Sequence, residues 1–224
     1  MAEATTQSPS PPGPQLTSGV FNLPNKITIA RFVLSIAYFA LLAFADDPGP
    51  VGAEAATWGR WQADTNSLLH DAGFLCFLIA ACTDVLDGYL ARKYNLVTDF
   101  GRVTDPFVDK ISVCGSFVFF VSFPSIRSVV PAWLVVAILA REFLVHGIRS
   151  LAESKGIPYA ASFWGKQKMV LQCIAVSCVL CYHNHLNGVA WAEGLAAAVV
   201  WLTLLSTVVS GVVYLYEARK VFNG

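Results

Sequence analysis

Asp84-Val85-Leu86-Asp87-Gly88-Tyr89-Leu90-Ala91-Arg92, then eight further residues, then Gly101-Arg102-Val103-Thr104-Asp105-Pro106-Phe107-Val108-Asp109: this stretch sets four carboxylates against strongly apolar surroundings. Asp84 and Asp87 are three residues apart and Asp105 and Asp109 four apart, so each pair shares one face of a helix. Two such helices packed side by side aim four acids at a common point. At membrane depth each carboxylate costs about 2.5–3.5 kcal/mol unless a partner or a water-filled cavity compensates. Four like charges together call for a cation, and an all-oxygen set selects a hard ion, Mg²⁺ or Mn²⁺, over zinc. Two such ions suit a pyrophosphate, polarising the phosphorus under attack and neutralising the leaving oxygen. Small residues, Gly88, Ala91 and Gly101, leave room for a nucleotide beside the backbone, and Arg92 could reach a phosphate. Asp99 reads as a loop or capping residue.

The apolar surroundings extend along the whole chain. Its 224 residues are 55% hydrophobic and 13% charged, with a mean hydropathy of +0.57, too apolar for a water-exposed globule. Fifteen basic and fifteen acidic residues cancel, which argues against a nucleic-acid binder. Residues 1–20, rich in Pro, Ser and Thr and without apolar periodicity, are expected to be disordered and are no signal peptide. Beyond them six apolar segments, near 26–46, 67–90, 105–123, 128–149, 166–184 and 189–217, each extend to roughly the 20 residues a bilayer-crossing helix needs. The expected fold is therefore all-α, a polytopic protein with six transmembrane helices.

Orientation follows from Lys and Arg, which accumulate in cytoplasmic loops. With the N-terminus inside, only Arg60 and Arg127 of the fifteen basic residues fall outside, so both termini are expected to be cytoplasmic and the acids to face the cytoplasm. The six cysteines lie in apolar stretches, where a thiol behaves as a small hydrophobe. Cys178-x-x-Cys181 followed by His183 and His185 fits a membrane helix and its outer loop better than a metal site.

The ordered pattern D-x-x-D-G-x-x-A-R-x8-G-x-x-x-D-x-x-x-D resembles the signature of the CDP-alcohol phosphotransferase family, with every fixed position filled. Similarity to the bacterial phosphatidylglycerophosphate synthases of that family extends from Asn22-Leu23-Pro24-Asn25 with Thr28 and Arg31, through Ala140-Arg141-Glu142 with Arg149 and Gly165-Lys166-x-Lys168, to Ser210-Gly211 and Tyr216-x-x-Arg219. It covers residues 21–222, which form one membrane domain. Thr104 stands where many relatives carry Leu before Asp-Pro and puts nothing catalytic in doubt.

The resemblance implies a six-helix enzyme of the bacterial cytoplasmic membrane, a homodimer, that transfers a phosphatidyl group from CDP-diacylglycerol to sn-glycerol 3-phosphate and releases CMP. It implies Asp84, Asp87 and Asp105 as metal ligands, with Asp109 both ligand and general base, around two Mg²⁺ or Mn²⁺ ions. Asn25, Thr28, Gly88, Ala91, Arg92, Thr98 and Gly101 would bind CDP-diacylglycerol. The dianionic acceptor calls for cations near the metals but distinct from them. Arg141 and Arg149 stand about 80° apart around one helix and roughly 12 Å along it, and with Lys166 and Arg31 they are the expected acceptor-phosphate residues. Lys155 and Lys168 read instead as positive-inside anchors. A CMP-forming cardiolipin synthase and an inositol-phosphate transferase are the rivals within the family. A membrane prenyltransferase and a transporter are rivals outside it, the latter expected to show repeats and midplane sites.

Overall fold

A computed structural model describes residues 23–47, 57–94, 99–155 and 163–222. These residues form six α-helices and one short 3₁₀ turn, with no strand among them: α1 (Leu23–Phe44), α2 (Thr57–Tyr94), α3 (Asp99–Ser122), the turn Pro124–Ile126, α4 (Ala132–Ser154), α5 (Phe163–His185) and α6 (Ala190–Phe222). The N-terminal tail expected to be disordered lies outside the described residues.

Each expected apolar segment coincides with one helix, and each helix runs past its apolar limit at one end at least, while α1, α3, α4 and α6 stop one to four residues short at the other. α2 begins at Thr57 rather than near residue 67 and reaches Tyr94. Its 38 residues span about 57 Å at 1.5 Å per residue, well beyond the roughly 30 Å of a hydrocarbon core. Hydropathy marks where a helix would enter lipid, whereas the backbone hydrogen-bond ladder continues as long as the local sequence permits. α3 likewise starts at Asp99 and continues through Pro106, keeping Asp105 and Asp109 in register on one helix.

Among the described residues, Ile27–Phe44, Thr65–Asp84 and Ala190–Arg219 are long and apolar enough to cross a membrane. α3, α4 and α5, of 24, 23 and 23 residues, match a bilayer in length. They carry charged residues inside their spans, including Asp109, Lys110, Arg141, Glu142 and Lys168. The described residues carry many large apolar side chains on the outside of the bundle: Val33, Phe44, Val136, Phe143, Trp191 and Val212 are each more than half exposed. A surface of this kind suits hydrocarbon rather than water.

α3 is central, packing on α1, α4 and α5, while α1 also packs on α2, and α6 on α4 and α5. The core is a continuous cluster running from Tyr38 and Leu42 through Phe77, Phe117, Phe120 and Ile138 to Val176, Leu180, Ala196 and Val200. α1 and α3 are joined by a polar seam. Ser35 Oγ lies 2.6 Å from Ser112 Oγ, and Tyr38 donates its hydroxyl to Ser116 Oγ at 2.9 Å. Residues 31, 35 and 38 of α1 thereby meet 109, 112 and 116 of α3, each set recurring at helical spacing.

At the end of the bundle away from Asp84 and Asp109, Asp47 after α1 accepts from the backbone N–H and hydroxyl of Ser125 at 2.9 and 2.5 Å. The buried rings of His70 and His183 meet edge to face nearby. α5 turns into α6 through Gly188, whose φ of 86° is a left-handed conformation that glycine adopts without a Cβ penalty.

Candidate active site

The helical backbone of α2 carries Asp84, Asp87, Gly88, Ala91 and Arg92, that of α3 carries Gly101, Asp105 and Asp109, and Asn25 lies in the first turn of α1. Thr98 falls outside the described residues, as do the side chains of Asn25, Asp87, Ala91, Arg92, Asp105 and Lys166. Asp84 and Asp109 are described, and one side chain brings them together. Arg31, 2% exposed, directs Nη1 to Oδ1 of Asp84 and Nη2 to Oδ1 of Asp109, the latter at 2.6 Å. Thr28, one turn earlier on α1, is buried on the same side. Arg31 was expected among the acceptor-phosphate residues. In the structure it stands between two of the acids, where a buried guanidinium is compensated by two carboxylates.

Beside the acids lies a cavity of about 310 Å³, lined by Asp109 and Lys110 of α3, by Arg141, Glu142, His146 and Arg149 of α4, by Lys168, Met169 and Gln172 of α5 and by Tyr214 of α6. Its polar lining repeats at helical spacing, 142, 146 and 149 on one helix and 168 and 172 on another, so that each helix contributes one polar face. Four cations and two carboxylates leave the lining with an excess of two positive charges. Asp109 belongs to both sites: it pairs with Arg31 and it lines the cavity.

A buried ion pair shapes the wall. Oε1 of Glu142 accepts from Arg141 Nη1 at 3.2 Å and from Lys168 Nζ. Arg141 also donates from Nη2 to Ser210 Oγ at 2.9 Å and stands over the Tyr214 ring, 5.5 Å from its centroid. Gly211 makes room for it, since a Cβ there would come 3.1 Å from Arg141 Cγ. Lys168 corrects its sequence reading. Expected as an anchor at the cytoplasmic surface, it is 4% exposed and held inside the bundle, because Glu142 is there to neutralise it. Nε of Arg141, Nε of Arg149 and Nε2 of Gln172 are buried without hydrogen-bond partners among the described residues. Such donors are costly to leave unmet, and here they surround a cationic cavity.

The carboxylates of Asp84 and Asp109, each about one quarter exposed, are oxygen donors of the kind a hard divalent cation takes. Of the four acids, these two are the ones whose side chains are described, and both have the donor chemistry such an ion needs.

Comparison with known proteins matches residues 21–209 to a family described as CDP-alcohol phosphatidyltransferase. The chain belongs to this family. As a CDP-alcohol phosphatidyltransferase it is 38% identical over 209 residues to the CDP-diacylglycerol–glycerol-3-phosphate 3-phosphatidyltransferase of Bacillus subtilis, with 91% of this chain and 100% of the relative covered. Proteins of the same name from Rickettsia felis and, with the suffix 2, from Arabidopsis thaliana are 32% and 33% identical. They cover 90% and 77% of this chain and 97% and 70% of their own lengths.

Sequence reasoning did not pick out Lys110, His146, Gln172 or Tyr214, which line the cavity of this phosphatidyltransferase. A signal was present for two of them: a polar residue one turn from Glu142 and another one turn from Lys168, each inside an apolar helix.

Proposed function

We propose that the chain transfers the phosphatidyl group of CDP-diacylglycerol to sn-glycerol 3-phosphate, giving phosphatidylglycerophosphate and CMP. The observation that carries this reading is the double placement of Asp109, beside Asp84 at Arg31 and in the wall of the cationic cavity. An acceptor held by its phosphate among Lys110, Arg141 and Arg149 meets a carboxylate at the edge of the acid cluster. Its dianion matches the two excess positive charges of the lining.

In the proposed reaction Asp109 takes the proton of the acceptor's primary hydroxyl. The hydroxyl oxygen forms a bond to the lipid-linked phosphorus as the phosphoanhydride bond to CMP breaks, and the electron pair of that bond leaves with CMP. Asp84, Asp87, Asp105 and Asp109 would hold two Mg²⁺ or Mn²⁺ ions, which supply charge neutralisation to the pyrophosphate. Arg31 fixes the carboxylates of Asp84 and Asp109. Asn25, Thr28, Gly88, Ala91, Arg92, Thr98 and Gly101 are assigned to CDP-diacylglycerol, and Lys166 joins the acceptor cations.

The same reading makes all six helices transmembrane, with both termini and the site on the cytoplasmic face of the bacterial membrane, residues 21–222 as the catalytic domain, and the working unit a homodimer. The test is CMP release from CDP-diacylglycerol in detergent with Mg²⁺, supplying glycerol 3-phosphate, phosphatidylglycerol and inositol phosphate in turn. Release with glycerol 3-phosphate alone is expected. Release only with phosphatidylglycerol would make the chain a cardiolipin synthase, and release only with inositol phosphate an inositol-phosphate transferase.

A further inference from the structure

A three-carbon acceptor offers the cavity three groups: a phosphate, the primary hydroxyl that reacts, and a secondary hydroxyl between them. The cations account for the first and Asp109 for the second. Among the buried polar side chains of the wall, Gln172 and Glu142 are placed to serve the third. Gln172, 4% exposed, has its Nε2 buried without a partner among the described residues. Glu142, 8% exposed, engages Arg141 and Lys168 through Oε1, leaving Oε2 outside that pair. Gln172 lies one turn beyond Lys168 on α5, and Lys168 is paired to Glu142, so amide and carboxylate flank the same stretch of wall. A hydroxyl both donates and accepts. One that donates to a carboxylate and accepts from an amide N–H satisfies both groups at once.

We propose that Gln172 and Glu142 recognise the secondary hydroxyl of the acceptor and so make the enzyme selective for a glycerol phosphate over a phosphorylated alcohol lacking that group. The inference rests on the acceptor assignment above and deepens it. A site that hydrogen-bonds a substrate hydroxyl discriminates strongly against the analogue without it, because its own buried polar groups are then left unpaired.

The experiment measures kcat/KM of the detergent-solubilised enzyme for glycerol 3-phosphate and for 3-hydroxypropyl phosphate, which keeps the phosphate and the reacting hydroxyl and lacks only the middle one. The wild type is expected to prefer glycerol 3-phosphate by about 100-fold, the effect of leaving a buried polar group unpaired. Gln172→Leu should reduce that preference to below about tenfold, through loss on glycerol 3-phosphate with little change on the analogue. Gln172→Asn, which keeps the amide on a shorter stem, should retain an intermediate preference. Equal wild-type kcat/KM for the two acceptors overturns the inference without any variant, as does an unchanged preference in folded Gln172→Leu. Should Gln172→Leu fail to fold, Glu142→Gln, which keeps the shape and an acceptor but removes the charge, must lower the preference for the inference to stand. Absence of CMP release with glycerol 3-phosphate in the wild type defeats the proposed function itself, an outcome distinct from loss of selectivity.

Discussion

Arg31 of α1 donates from Nη2 to Oδ1 of Asp109 on α3 at 2.6 Å, and through Nη1 it reaches Asp84 on α2. One buried guanidinium thus ties three helices at the point where Asp84 and Asp109 meet, and the seam formed by Ser35 to Ser112 and Tyr38 to Ser116 continues the same α1–α3 contact into the core. A group placed this way acts on the site by holding carboxylates in position.

Arg31→Ala is therefore expected to lower stability by on the order of 3 kcal/mol, since it leaves two partly buried carboxylates without their counter-charge. Excess Mg²⁺ should recover part of the loss by supplying positive charge at the same acids. Thermal unfolding in detergent, with and without Mg²⁺, reads both effects. An unfolding midpoint unchanged from wild type would remove Arg31 from this role.

The Glu142–Lys168 pair predicts strong non-additivity. Glu142→Gln alone leaves Lys168 buried beside Arg141 without a full counter-charge, and Lys168→Met alone leaves Glu142 to Arg141. The double variant Glu142→Gln/Lys168→Met should be more stable than the sum of the single losses implies, by more than about 1 kcal/mol, as for other contacting buried pairs. Denaturation of the four proteins of this cycle measures the coupling. Strict additivity would contradict the pair.

Arg149 differs from Arg141 in what its loss should do. Arg141 is fixed by Glu142, Ser210 and Tyr214, whereas Arg149 lines the cavity with Nε unmet. Arg149→Ala should raise KM for glycerol 3-phosphate by at least about tenfold, the loss of one charge-assisted hydrogen bond, with the unfolding midpoint nearly unchanged. Steady-state kinetics at saturating CDP-diacylglycerol separate this from a folding defect.

Asp84 and Asp109, the six helices and two of the cavity cations, Arg141 and Arg149, were legible in the sequence because each belongs to a local pattern: carboxylates at helical spacing, apolar runs, arginines inside one apolar helix. Helix limits were less so. Hydropathy reports the solvent a segment prefers, and α2 continues for ten residues ahead of its apolar segment while keeping its hydrogen-bond ladder. The partners of buried charges were not legible at all. Nothing local to Lys168 reveals that Glu142, on another helix, neutralises it, and nothing local to Arg31 reveals that Asp84 and Asp109 converge on it. Charge next to charge in space depends on how the helices pack, and a lysine or arginine at the border of an apolar segment reads the same whether it anchors the helix or is swallowed by the bundle.

The most direct test of the account is CMP release by Asp109→Asn, assayed with CDP-diacylglycerol, glycerol 3-phosphate and Mg²⁺ and accompanied by its elution profile and unfolding midpoint. Asparagine keeps the shape of the side chain and cannot take the acceptor's proton. The account predicts a folded protein whose CMP release falls by about 10²-fold or more, the contribution typical of a general base. A folded Asp109→Asn protein that turns over at close to the wild-type rate would contradict it.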